Sequence, residues 1–385
     1  MRTLGQLRLR GKRVLLRLDL NVPLDAKGRI TSDARIRQAL PTIREILKRG
    51  ASQLIIASHL GRPAGKRVPG LKLDPVARRL AKLLGRKIVK LDDCVDVALP
   101  DPKKAKIVLL ENLRFHPGEE ANDVAFAKKL AALANVYVND AFGVCHRSAA
   151  SVVAITAFLP SAAGPLIARE TAALDLSRAK KPIVVLLGGA KVSDKLGLIS
   201  ALLEKTDLLL IGGAMAFTFF KAQGYEIGKS KYEPTVVELA GQLLKKAGSK
   251  LILPHDVLVV KKIMPGAALR NVPADRISAT DIGVDIGQET VESYKAIIAR
   301  AATIFWNGPL GITELKAFSS GTETLARAIA GLTKQGVRTI VGGGDTLAVV
   351  ERLRLGRSFS HLSTGGGAAL EFIEKGTLPG LKALS

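Results

Sequence analysis

Residues 182–189 read PIVVLLGG: a proline, five unbroken apolar residues and two glycines. A short apolar run between a proline and a glycine turn has the signature of a strand buried on both faces, as in a parallel sheet. The pattern recurs in LLLIGG (208–213), KLILPHD (250–256), TIFWNGP (303–309) and RTIVGGGD (338–345). It also runs through the first half, in RVLLRLDLN (13–21), SQLIIASHLG (52–61), KIVKL (87–91), KIVLLENLRF (106–115) and NVYVNDAFG (135–143). Segments of helical period lie between these runs, such as 34–49 and 75–84. Alternating βα units of this kind predict an α/β fold with parallel sheets. At 385 residues the chain exceeds what one core usually supports, so two domains are expected. Residues 163–182, AGPLIARETAALDLSRAKKP, separate the halves, and Pro165 and Pro182 bracket an expected rigid helical connector.

Composition narrows the function. Hydrophobic residues make up 47% and charged residues 24%, a globular balance. No apolar run is long enough to span a bilayer, and arginines interrupt the N-terminal leucines, so a mature cytoplasmic protein is expected. Cys94 and Cys145 are the two cysteines, too few for a disulfide framework or a cysteine metal site. The five histidines show no metal-ligand spacing, and neither GxSxG, GxxxxGK[ST] nor GxGxxG occurs. The formal charge of +24 calls for anionic ligands. Nucleic acid is not expected as the main partner, because the basic residues are scattered and aromatic residues are only 4%.

Two clusters carry the chemistry. In the first half, LRLDLNVPL (16–24), SDARI (32–36), SHLGRP (58–63), LENLRF (110–115) and FGVCHRSAAS (142–151) bring arginines to strand ends. Each of Arg35, Arg62, Arg114 and Arg147 alone reads as a solvated surface residue. Together, with His59 and His146, they could donate to phosphate and carboxylate oxygens. Asp19 and Asn21 could orient hydroxyls, with a structural acid paired with one of the arginines as the lesser reading of Asp19. In the second half, GGAKVSDK (188–195), IGGAMAF (211–217), WNGPLG (306–311), GGGDT (342–346) and STGGGAALE (363–371) form glycine turns that could cradle phosphates. Lys191 and Lys195, four apart near an expected helix start, are candidate phosphate clamps. Asp345 could hold Mg2+ or simply cap a helix. Glu314 could accept hydrogen bonds from a ribose.

In their order and approximate spacing, LDLNVP, SHLGRP, LENLRF, VNDAFG, GGAKVSDK, WNGPLG, GGGDT and STGGGA resemble the motifs of phosphoglycerate kinases, across residues 12–381. The resemblance implies reversible phosphoryl transfer between 1,3-bisphosphoglycerate and ADP, giving 3-phosphoglycerate and ATP, in glycolysis and gluconeogenesis. It implies two Rossmann-like, doubly wound parallel-sheet domains joined by a hinge helix, in a monomer. Residues 1–164 would bind 3-phosphoglycerate, 165–181 would be the hinge and 182–367 would bind nucleotide, with a tail from about 368 to 385 returning to the first domain. By similarity, Asp19, Asn21, Arg35, His59, Arg62, Arg114 and Arg147 hold the glycerate. Gly189, Ala190, Lys191, Lys195, Gly213, Asn307, Pro309, Glu314, Gly342, Gly343, Gly344, Asp345 and Thr346 match the nucleotide site, with Asp345 as the Mg2+ ligand. Arg35 and Lys191 are the expected catalytic pair. Cys145, Thr313 before Glu314, Gln288 after DIG, and the order EKG at 374–376 depart from the family pattern, as does the strong basicity.

Overall fold

The computed structural model describes residues 1–385. The chain divides into two units, Met1–Ala172 with Thr377–Ser385, and Ala173–Gly376. In the first unit, strands β1 (Arg13–Arg17), β2 (Gln53–Ala57), β3 (Val89–Lys90), β4 (Ile107–Leu109), β5 (Val136–Asn139) and β6 (Ser161–Ala163) form one sheet in the order β3-β4-β2-β1-β5-β6. Every pairing is parallel. The β2 residues are buried throughout, as the continuous apolar run requires. Helix Ala34–Lys48 buries Ile36, Ile43 and Ile46 against this sheet's core, and helix Asp74–Leu84 buries Val76 and Leu80 there.

The second unit repeats the plan with β7 (Ile183–Leu187), β8 (Leu208–Ile211) and β9 (Leu251–Ile252). A separate antiparallel sheet follows, with β10 (Asp256–Val260) between β11 (Arg270–Pro273) and β12 (Ile282–Ile286). Strands β13 (Thr303–Asn307), β14 (Arg338–Gly342) and β15 (His361–Ser363) complete the main sheet, in the order β15-β14-β13-β7-β8-β9, all parallel. Trp306, fully buried, is part of the core under this sheet, and its indole N–H donates to the Gly308 carbonyl at 2.9 Å.

Both main sheets reverse strand order beside their first strand, between β1 and β5 and between β7 and β13. An open α/β sheet leaves a crevice at the carboxyl ends of its strands at such a point. Both candidate clusters lie there.

Two boundaries and one sheet differ from expectation. The connector is α-helical over Pro165–Leu174 and ends in a 3-10 turn, Leu176–Arg178, rather than running as one helix to 181. Asp175, whose side chain accepts from Ser177 N, starts that turn and so ends the longer helix. The returning tail begins at Thr377, because helix Gly367–Lys375 belongs to the second unit, where Lys205 Nζ donates to the Ile373 carbonyl. The antiparallel sheet was not anticipated at all.

Candidate functional site

In the first unit the crevice is built around a buried arginine that the sequence reading passed over. Arg17 ends β1 with a side chain 1% exposed. Its Nε donates to Ser151 Oγ at 2.9 Å, its Nη2 lies 3.3 Å from His59 Nδ1, and Glu119 is its carboxylate partner at 3.7 Å. A guanidinium can only donate, so His59 Nδ1 accepts and the ring proton sits on Nε2. Burial holds the His59 pKa well below the usual imidazole value, and the charges of Arg17, Arg114, Arg35 and Arg147 push it the same way. His59 is therefore neutral.

The expected arginines sort into different settings. Arg35 is in the first turn of helix Ala34–Lys48, not at a strand exit, and pairs with Asp19. Asp19 thus has the arginine partner that its structural reading called for. Gly143 passes so close that a Cβ there would stand 2.4 Å from Asp19 Oδ2. Asn21 Oδ1 accepts from Gly61 N at 2.8 Å and fixes the SHLGRP loop. Arg114 donates to the Gly61 carbonyl at 2.9 Å and meets Glu120 at 3.4 Å, while Arg147 approaches the same Glu120 oxygen at 3.9 Å. Arg17, Arg114, Arg147, Glu119 and Glu120 line a cavity of about 230 Å³. Arg62 is exposed in the loop after β2.

In the second unit the glycine turns meet across the β7–β13 switch point. Gly188 N donates to Asn307 O at 3.0 Å, Gly189 N to Pro309 O at 2.9 Å, and Met215 N to Gly189 O at 3.0 Å. The approach excludes side chains: a Cβ on Gly188 would lie 2.0 Å from Pro309 O. Gly308 N donates to Thr346 Oγ1 at 2.7 Å, joining the GGGDT turn to WNGPLG.

Lys191 and Lys195 do not share a helical face. Residues 191 and 192 precede a 3-10 turn, Ser193–Lys195, and the α-helix begins at Leu196. Glu233 holds this loop, accepting from Val192 N, Ser193 N and Ser193 Oγ. Lys191 is exposed, whereas Lys195 turns inward and donates to Gly188 O at 2.5 Å and Asn307 O at 3.3 Å. Burial pushes Lys195 down to about 8, with Asp194 and Asp345 pulling it back toward the charged form. Asp345 is exposed in the first turn of helix Gly344–Arg352, whose N-cap is Gly343 with no side-chain cap bond. The capping reading of Asp345 therefore fails, leaving its carboxylate to other partners.

Two cavities share a wall of Gly189, Ala190, Pro309 and Asp345. One, about 360 Å³, has Lys191, Lys195, Asn307, Gly344 and Thr346 around it. The other, about 310 Å³, is mainly apolar and lies among Gly213, Phe217, Val257, Ile282, Gly283 and Leu310, with Glu314 among its lining residues. Gly342 lies within β14 and lines neither. Phe217 and the antiparallel sheet were missed, although IGGAMAF and DIG were both noticed. Asp285, on β12, also lines the apolar cavity. Burial raises its carboxyl to about 7, even though Gly321 N and Ile286 N donate to it.

A phosphate-sized glycine cradle beside an apolar chamber suits a nucleotide, and an arginine-lined crevice suits a small phosphorylated acid. Residues 4–376 match the family model described as phosphoglycerate kinase. The chain belongs to the phosphoglycerate kinase family. It is 48% identical over 386 residues to the phosphoglycerate kinase of Synechococcus elongatus, covering 98% of this chain and 96% of that one. Against the Chlorobium luteolum phosphoglycerate kinase the identity is 47% over 394 residues, covering 100% and 99%. The solved phosphoglycerate kinase of Coxiella burnetii superimposes with a TM-score of 0.89 at 42% identity, covering 99% of this chain and 98% of that one. That of Pyrococcus horikoshii gives 0.85 at 30% identity, covering 100% and 98%. The activity is the family's: reversible phosphoryl transfer between 1,3-bisphosphoglycerate and ADP, yielding 3-phosphoglycerate and ATP.

Proposed function

We propose that the first unit binds the glycerate substrate through Arg35, His59, Arg62, Arg114 and Arg147, with Asp19 and Asn21 orienting these groups, and that the second unit binds ADP or ATP. The observation that carries the assignment is the pair of cavities sharing the Gly189–Pro309 wall, one bordered by Lys191, Lys195, Asn307 and Thr346 and the other mainly by apolar side chains. Phosphates would fill the lysine-bordered cavity against Lys191, Lys195 and the N–H groups that open helix Gly344–Arg352. The nucleoside would fill the apolar one between Phe217 and β12, with Glu314 accepting from the ribose. In the first unit Glu120 already bridges Arg114 and Arg147, so a substrate anion would take the place of its carboxylate.

Asp345 suits Mg2+: it is an exposed, uncapped carboxylate beside the phosphate cavity, and magnesium binds few protein carboxylates together with phosphate oxygens. Bound there, the ion would offset charge on the nucleotide phosphates.

Toward ATP, a terminal oxygen of ADP attacks the phosphorus of the acyl phosphate, that P–O bond breaks, and the glycerate carboxylate leaves with its electron pair. A carboxylate of pKa about 4 needs no proton at neutral pH, so no general acid or base is required. The chain supplies no nucleophilic serine or thiolate at either cluster; Cys145 is buried and its thiol is pushed up to about 12. What it supplies is positive charge. Catalysis then rests on alignment and on offsetting charge at the transferring oxygens. Arg35 would leave Asp19 to meet the phosphoryl group from the glycerate side, and the exposed Lys191 would follow it from the nucleotide side. In-line transfer requires the two substrates to be brought together, so motion about the connector helix belongs to the cycle.

No helix is long and apolar enough to cross a membrane. A monomer working in the cytoplasm is the reading in keeping with two buried free cysteines and a glycolytic role. The test is a coupled assay with 3-phosphoglycerate, ATP and Mg2+. Turnover should require all three, and Lys191→Ala should lose at least about a hundredfold in kcat, within the usual weight of one charge-stabilising group, while 3-phosphoglycerate binds as before. Retained kcat in Lys191→Ala would remove that residue from the mechanism.

A further inference from the structure

The amino ends of the first unit's strands, opposite the arginine crevice, carry a rim of cations with no assigned role. Arg10, Lys12, Arg13, Lys48, Lys104 and Lys106 are all exposed there. The backbone sets them side by side. Gly11 N donates to Gly50 O at 2.9 Å, Ser52 N to Lys12 O at 2.8 Å, and Leu54 N to Lys106 O at 2.9 Å. Adjacent strands are about 4.8 Å apart, so the line across β1, β2 and β4 is roughly 10 Å long before its flexible side chains reach outward.

These charges are not internally compensated. The unit's ion pairs involve other cations, and residues 1–18 and 46–73 contain no acidic residue. The carboxylates near this end are Glu45, on the last turns of its helix, and Asp101, which already accepts from Lys103 N at 2.8 Å. Six like charges held on a rigid sheet edge repel one another, a standing cost that a polyanion would relieve.

We propose that this rim binds the phosphate backbone of nucleic acid, without sequence preference and separately from the active site. A duplex presents one negative charge per ~1.7 Å of axis, dense enough to meet all six cations. An anionic membrane fits less well, because interfacial binding draws on an apolar face. The large exposed hydrophobe at this end, Phe158 at 38% exposure, stands alone ahead of β6. The chain's low aromatic content, 4%, likewise favours backbone contact over base stacking.

The test is fluorescence anisotropy with a labelled mixed-sequence duplex of about 20 base pairs, in saturating MgATP and 3-phosphoglycerate, from about 50 to 200 mM salt. The logarithm of the binding constant should fall against the logarithm of salt with a slope approaching about −5, from six contacts at about 0.9 each. Neutralising Lys12, Arg13 and Lys106 together to Gln should make the slope shallower by about 3, with kinase turnover unchanged. Lys106→Gln alone should shift it by about 1 if the triple variant folds poorly. A control that neutralises two exposed cations elsewhere, Arg78→Gln with Lys82→Gln on helix Asp74–Leu84, should leave it unaltered. The proposal fails if no binding is seen at the lowest salt, or if the substrates displace the duplex. It also fails if the rim variants keep the parent slope, or if phosphatidylserine vesicles outcompete the duplex.

Discussion

Gly283 on β12 is where the nucleoside assignment can be tested by a single carbon. A Cβ at this position would stand 1.9 Å from Phe217 Cζ and 2.5 and 2.9 Å from the two Cε atoms. Carbon atoms pack at about 3.5 to 4.0 Å, so Gly283→Ala must displace the ring by roughly 1.5 to 2 Å. Phe217 is 4% exposed on helix Met215–Ala222 and lines the apolar cavity, which holds only about 310 Å³. The ring has little packed space to retreat into, and the open direction is the cavity itself. Overpacking of this kind costs about 1 to 3 kcal/mol, which predicts ADP binding weakened by about 5- to 150-fold. Isothermal titration with ADP and, separately, with 3-phosphoglycerate would measure it. Glycerate affinity should stay constant, because that site belongs to the other unit. Combining Gly283→Ala with Phe217→Leu should return much of the ADP affinity by giving the methyl room. ADP affinity within twofold of the parent would refute the placement of the nucleoside between Phe217 and β12; so would a matching loss of 3-phosphoglycerate binding.

Three further outcomes follow from charged side chains, two buried and one exposed. Arg17→Met should cost about 3 to 5 kcal/mol in urea unfolding of the first unit, because Glu119, 1% exposed, loses its cation; adding Glu119→Gln should recover part of it, and a loss under 1 kcal/mol would show the pair to be expendable. Asp285 takes up its proton in the fold near pH 7 instead of near 3.8, so the native state binds more protons between those values. Its contribution to stability therefore falls as pH rises from about 4 to about 7 and is level above, and Asp285→Asn should flatten that slope in thermal melts across the range. Replacing Asp345 with Ala should raise the Mg2+ concentration for half-maximal turnover at least tenfold, as loss of a carboxylate ligand would, while 3-phosphoglycerate affinity is unchanged.

The β-strands with unbroken apolar runs were legible because burial on both faces leaves nothing else for the sequence to encode there. All ten runs quoted contain strands of the two parallel sheets, although KIVKL yields only the half-buried pair Val89–Lys90. Strands β6 and β15, three residues each, were not, since SAA and HLS carry too few apolar side chains to stand out. The antiparallel strands β10 to β12 escaped for a different reason. Only β10 carries an apolar run, VLVV; β11 is almost wholly exposed and Gly283 and Asp285 interrupt β12, so no regular period marks the three as a sheet. Arg17 did leave a signal, a lone cation in the apolar run VLLRLDL, but its meaning depended on Ser151, His59 and Glu119, which are distant in sequence.

The sequence alone therefore determined the parallel α/β plan, the two groups of chemically active turns and the kinship with phosphoglycerate kinases, because each depends on residues close together along the chain. Tertiary structure alone decided which partner each polar group takes. It paired Asp19 with Arg35, turned Lys195 inward while leaving Lys191 exposed, and freed Asp345 from a capping role. It also walled the apolar chamber with Phe217 and β12. Those choices come from contacts between segments far apart in sequence, and both the pairing and the burial that shifts a pKa exist only once the chain has packed.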